Sequence, residues 1–186
     1  REMSRRDNYI GYDYARNMFA TLPRDSVLVM QKDVQLFLFW AQQHAAQKRS
    51  DVAIVARGLS GSDWYQSMRQ RAGVRAFIGP LRNDADWNVF ASRNADRAVF
   101  TGWDQDVPVS PAYAQKAAGL ARRVLAKNPP EDLSKLQKIP PSDILKDFYV
   151  YRGRYRYGDS GDFFTSDLID DYSKAHFARG VEASHH

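Results

Sequence analysis

Two apolar ribbons joined by one amphipathic segment constrain this chain more than any other feature. The first is "SVLVM", Ser26 to Met30, and the second lies within "DVAIVARGL", Asp51 to Leu59. Neither alternates polar with apolar residues, so each reads as a strand covered on both faces. Between them "QKDVQLFLFWAQQ" reads as a helix with Asp33 as its cap, running to about Lys48. "SGSDWYQSMRQR" then opens another helix, with Ser60 or Ser62 as cap. Strand, helix, strand, helix is a βαβα unit, which requires a parallel strand pair and a crossover. The expected fold class is therefore α/β, three-layered α/β/α with a mostly parallel, Rossmann-like sheet.

Other segments fill in this frame. Asp7 can cap a first helix to about Leu22, whose Ile10, Tyr14, Met18 and Leu22 form an apolar stripe ended by Pro23. "VRAFI" reads as a short strand and "RAVFTGW" as a convincing one, while "LRNDADWNVFASRNAD" is a helix or irregular cover. "SPAYAQKAAGLARRVLAK" is ambiguous, because its alanines favour helix yet Gly119 could begin a strand. Residues 128–141 are rich in Pro and Lys and read as a surface connection. A last helix is expected over residues 165–179, with Asp167, Asp170 and Asp171 early and Gly180 just beyond, as the helix dipole and C-cap prefer. One domain, residues 6–180, is the expectation, with 181–186 a tail whose two histidines resemble a tag remnant.

Composition excludes several chemistries. With 186 residues the chain can bury a sizeable core, and its lack of cysteine removes disulfides, thiol nucleophiles and Cys-type zinc sites. No cofactor or metal is expected. No stretch approaches the roughly 20 apolar residues of a membrane span. The start, "REMSRRDNY", has neither an initiator Met nor a signal core and reads as an excised fragment. The net charge of +5 is spread along the chain, which suits a solvated surface better than a nucleic-acid face.

Three clusters are candidates for chemistry. Lys32 and Asp33 sit where the first strand meets its helix, the end of a parallel strand at which ligands usually bind. "GLSGSDW" places Ser60, Ser62 and Trp64 at the next strand-to-helix turn, a helix start that attracts anions but narrowly misses the G-x-S-x-G elbow. "GWDQDVP" places Trp103 beside Asp104 and Asp106, a ring and paired carboxylates that suit sugar binding or acid–base work. In "YVYRGRYRY" arginines and tyrosines fall on opposite faces, so one base could not meet both, and nucleic acid is not an expected partner.

In order along the chain, "RDNYIGYDYARNMFATLPRDSVLVMQKDVQLFLFWAQQ", "RSDVAIVARGLSGSDWYQSM" and "NADRAVFTGWDQDVPVSPAYAQKAAGL" resemble the soluble region of a bacterial multi-pass membrane-protein family. That family is of unknown function and is related to protein O-mannosyltransferases with a type-C glycosyltransferase membrane region. Asp33 falls on the first Asp of a Gly-Asp-Asn-Asp turn typical of the family, with Lys32 in place of its Gly and Gln35 in place of its second Asp. Trp40, Trp64 and Tyr65 match the family pattern, and Ala56 stands where it has Asn. The resemblance implies an extracytoplasmic, periplasmic domain tethered by transmembrane helices outside this sequence. Its partners would be the membrane-embedded region of the same polypeptide and a protein or glycan acceptor. The family's catalytic acids are expected in its membrane loops, so no catalytic residue is carried onto this chain. A stand-alone α/β hydrolase or carbohydrate-active enzyme and a basic nucleic-acid binder are the alternatives.

Overall fold

The apolar stripe near the start builds α1 (Ile10–Thr21), in which Ile10, Tyr14 and Met18 are buried. These residues belong to a computed structural model that describes residues 8–104, 113–126, 149–152 and 163–184. The proposed cap Asp7 lies outside that set. Beyond Pro23 come β1 (Val27–Met30), α2 (Asp33–His44) and β2 (Ala53–Ala56). β1 and β2 pair in parallel, with Val27 opposite Ala53 and Met30 opposite Ala56. All eight residues of the two strands are buried, as ribbons without polar alternation require. α2 stops at His44, short of Lys48, because Gln47 takes φ +49° and leaves the helical region.

The chain continues through a 3₁₀ turn at Arg57–Leu59, α3 (Asp63–Arg71), α4 (Asp84–Arg93) and β3 (Val99–Gly102). α4 has the N-cap side-chain bond that α1, α2 and α3 lack, since Asn83 accepts from the Asp86 N–H. β3 pairs in parallel with β1, placing β1 between two parallel neighbours. After it, β4 (Tyr113–Ala118) and β5 (Ala121–Ala126) form a hairpin that joins β3 antiparallel through β5. The five-strand order is β2-β1-β3-β5-β4.

The fold is α/β, but the sheet is mixed, with two parallel and two antiparallel pairings instead of the mostly parallel one expected. The difference lies in "AYAQKAAGLARRVLA". Alanine propensity is weak, and β3 offers an open edge whose ladder outweighs it. Gly119, at φ +58°, supplies the first position of a two-residue turn in which only that position is left-handed, the type II′ geometry hairpins favour. "VRAFI" is not a strand. The Phe77 N–H donates to Asn94 Oδ1 and its carbonyl accepts from Asn94 Nδ2, so a side chain takes the place of a ladder.

Exposed strand edges invite unwanted pairing, and β2 is shielded by α3. The outward N–H of Ala56 donates to the Tyr65 hydroxyl, and the outward carbonyl of Ile54 accepts from Tyr65 and from Arg69 Nη2. One helical turn separates Tyr65 from Arg69, so both reach the same edge. The final helix, α5 (Phe163–Ser184), runs through Gly180 instead of ending there. It packs against α1, α2 and β4.

A candidate site at the carboxyl rim of the sheet

Because β1, β2 and β3 are mutually parallel, their carboxyl ends open on one side, and side chains stitch the three turns together there. Asp104, two residues beyond β3, turns its carboxylate back toward β1. Its Oδ2 accepts from the N–H of Gln31 at 2.8 Å and of Lys32 at 2.7 Å. Arg57, just beyond β2, donates to Gln31 Oε1 at 2.8 Å. Asp33, the expected cap, is instead the first residue of α2, exposed, while Lys32 holds the N-cap position without a side-chain cap bond. Asp104 serves the backbone donors of Gln31 and Lys32, just ahead of the first turn of α2, from another strand.

α5 completes the rim. Lys32 Nζ lies 2.6 Å from Asp167 Oδ1. One turn along the helix, buried Asp171 accepts at Oδ2 from the Tyr14 hydroxyl at 2.6 Å and from Gln35 Nε2 at 3.2 Å. Three acids, one lysine, one tyrosine and one glutamine from four separate elements thus form one polar cluster beside the core. Three of its oxygens, Asp104 Oδ1, Asp167 Oδ2 and Gln35 Oε1, are buried without a donor.

Burial governs the charges here. Desolvation pushes the Asp171 carboxyl up to about 6, against the lowering effect of the Tyr14 and Gln35 hydrogen bonds. It also raises Asp104, opposed by the two backbone donors. Tyr14 is held well above a normal phenol, first by burial and then by the neighbouring Asp171 charge. Lys32 is raised, chiefly by its hydrogen bond to Asp167. The cluster therefore keeps Lys32 charged and Tyr14 neutral, while the Asp171 carboxyl is raised to about 6. Among the described residues no group of His, Asp or Glu could hold a metal ion.

Of the described residues singled out from sequence, the structure joins Lys32 and Asp104 and leaves the others apart. Trp103 is half-buried, donates from Nε1 to the Gly119 carbonyl at 3.2 Å and carries the Arg122 guanidinium over its ring. Ser60 is buried and its Oγ donates to the Arg57 carbonyl, the role of a turn residue. Ser62 stands at the N-cap position of α3 without a side-chain cap bond. Trp64 is exposed, edge-on to Tyr65. Asp106 lies outside the described residues. No Ser-His pair forms among them: His44 ends α2, and Ser60 has its own acceptor. In the arginine-tyrosine stretch, Arg152 is bound to buried Asp13 and Tyr149 is buried against Thr21 and Leu120. Arg154 and Arg156 lie outside the described residues.

Sequence reasoning missed Tyr14, Gln35, Asp167 and Asp171 as site residues. A signal existed for Asp171, which shares the phase of Leu168 and Ala175 on the apolar face of α5. An acid on such a face is not a solvated one.

No curated protein and no solved structure matches the chain. Residues 11–104, just over half of it, match the family described as TMEM260-associated domain 2. That span begins in α1 and ends on Asp104, so it contains all three parallel strands and the carboxylate that ties them. The chain belongs to the TMEM260-associated domain 2 family, and is a domain of a TMEM260-like membrane protein.

Proposed function

We propose that this chain is an extracytoplasmic recognition domain of a multi-pass, glycosyltransferase-like membrane protein related to protein O-mannosyltransferases, and that its carboxyl rim binds the hydroxyl-bearing acceptor. The observation that carries the reading is the surplus of acceptors in the rim. Asp104 Oδ1, Asp167 Oδ2 and Gln35 Oε1 have no donor, and buried oxygens of this kind favour a ligand that brings O–H groups. Sugar hydroxyls and serine or threonine side chains are such ligands. Lys32 is the accessible member, with its side chain two-fifths exposed, and its release from Asp167 would open the acceptors beneath. Family membership supports the tethered setting, and no helix among the described residues is long and apolar enough to cross a membrane. The domain would position an acceptor for chemistry carried out in the membrane region, with no catalytic step of its own.

Titration with methyl hexosides and with a serine- and threonine-rich peptide, followed by amide chemical shifts, tests the reading. Saturable shifts at Gln31, Lys32 and Gln35 that disappear in Asp167→Asn are expected. Absence of any saturable shift, or shifts indifferent to that substitution, removes acceptor recognition. A parent reading frame without a multi-pass segment removes the tethered setting.

A further inference from the structure

At the opposite end of the sheet lies a cavity of about 470 Å³, within the usual range for small-molecule sites. It is walled by the residues leading into β1, β2 and β3 and by the last turns of α2 and α3. Three arginines from separate segments line it: Arg69 on α3, Arg75 just after that helix, and Arg97 before β3.

Arg69 is the unusual one. It is only 5% exposed, donates one hydrogen bond from Nη2 to the Ile54 carbonyl at 3.2 Å, and pairs with no carboxylate among the described residues. Its Nε is buried without an acceptor. A buried cation lacking a counter-ion is costly, and a site where one persists is prepared for an anion. Arg75 is exposed and has no partner among the described residues, while Arg97 donates from Nη1 to the Asp25 carbonyl at 3.1 Å and its Nε lies 3.8 Å from the exposed Asp96 carboxylate.

The opposing charges are weak. Asp51, which also lines the cavity, is clamped by Arg49 through Nε and Nη2, both at 2.9 Å, so its charge is neutralised. Asp25 is the one lining carboxylate without a side-chain partner. The helix carbonyls that would repel an anion are satisfied locally: Met68 by Ala72, Arg69 by Val74, Ala41 by Ala45 and Gln42 by Lys48.

We propose that this cavity is a binding site for a phosphate group carried on a small polar ligand, with Arg69 as the buried anchor and Arg75 and Arg97 as the outer clamps. Guanidinium forks approaching from separate segments suit the several oxygens of phosphate, and the remaining volume accommodates a polar body beside it. The site is independent of the carboxyl rim and makes no use of Lys32 or Asp104.

Inorganic phosphate, added to the full chain against sodium chloride of equal ionic strength, is the first probe, read by melting temperature and by arginine Nε–H signals. A saturable rise in Tm is expected, with the Arg69 Nε–H signal shifting in step. Arg75→Gln removes an exposed side chain with no contact of its own, so it leaves the unliganded Tm unchanged while weakening phosphate affinity about tenfold, the loss of one charge-assisted contact. Methyl phosphate should match inorganic phosphate, and Asp167→Asn should leave both titrations unaltered. No response beyond that to chloride, or a response unchanged in both Arg75→Gln and Arg97→Gln, overturns the site. An equal response to acetate overturns the phosphate assignment.

Discussion

The carboxyl of Asp171 is the residue on which the electrostatics of the rim turn. Burial raises it from the ordinary 3.8 to about 6, so the folded protein holds a proton between those values that the unfolded chain has released. Stability therefore falls as pH rises through that window and is level above it, by up to roughly 3 kcal/mol for a two-unit shift. The upward shift of Asp104 acts in the same direction. Denaturant unfolding between pH 3.5 and 8 should show this slope, and Asp171→Asn should flatten it and raise stability at pH 8. An unchanged slope in the variant would assign the titration elsewhere. Gly102 is the neighbouring residue with the tightest requirement. A Cβ there would collide with Asp104 Oδ1 and lie 2.7 Å from Met30 Cε, so Gly102→Ala should cost on the order of 2 kcal/mol by overpacking. Chemical denaturation checks that figure. At this scale the sequence was half legible: Asp104 stood out beside Trp103, whereas Asp171 passed for a dipole partner of a helix expected to start at 165, though it is the ninth residue of α5.

Among elements, the junction of β1 with α2 is held in place by β3. A single carboxylate accepts from two consecutive backbone N–H groups, a cap supplied across the sheet instead of within the helix. Asp104→Ala should therefore cost about 2 kcal/mol, the scale of a lost cap with charge-assisted bonds, and should speed hydrogen exchange at Gln31 and Lys32 above all. Exchange protection that stays uniform would contradict the cap. At the other side of the sheet, Tyr65→Phe leaves the outward N–H of Ala56 without its acceptor, and should cost about 1 to 2 kcal/mol and promote association through β2. Light scattering on the purified variant reports the second effect. β1, α2 and β2 could be read from hydrophobic pattern alone, because buried parallel strands carry no competing signal. The β4–β5 hairpin could not, since its alanines carry helical propensity and its pairing partner lies in β3.

For the molecule as a whole, the two distant parts of the chain meet on α1. Asp13 is fully buried and binds Arg152 through Nε at 2.9 Å, while Asn17 binds both the N–H and the carbonyl of Val150. Tyr149 reaches in to Thr21 and to the Leu120 N–H, and Tyr14 reaches out to Asp171. Arg152→Ala removes a charge partner of a buried acid and should destabilise the fold, measurable as a lowered denaturation midpoint with unchanged slope. These long-range contacts explain why the rim was only partly legible. Lys32 and Asp104 follow from where parallel strands end, but Tyr14, Gln35 and Asp167 enter only once the first and last helices are folded against the sheet.

That α5 lends two of the rim's three acids has a consequence for anything that docks there. An occupant gripping Asp104 and Asp167 together would fasten α5 to the parallel strands, so occupancy should be felt as slowed amide exchange along residues 163–184, well away from the point of contact.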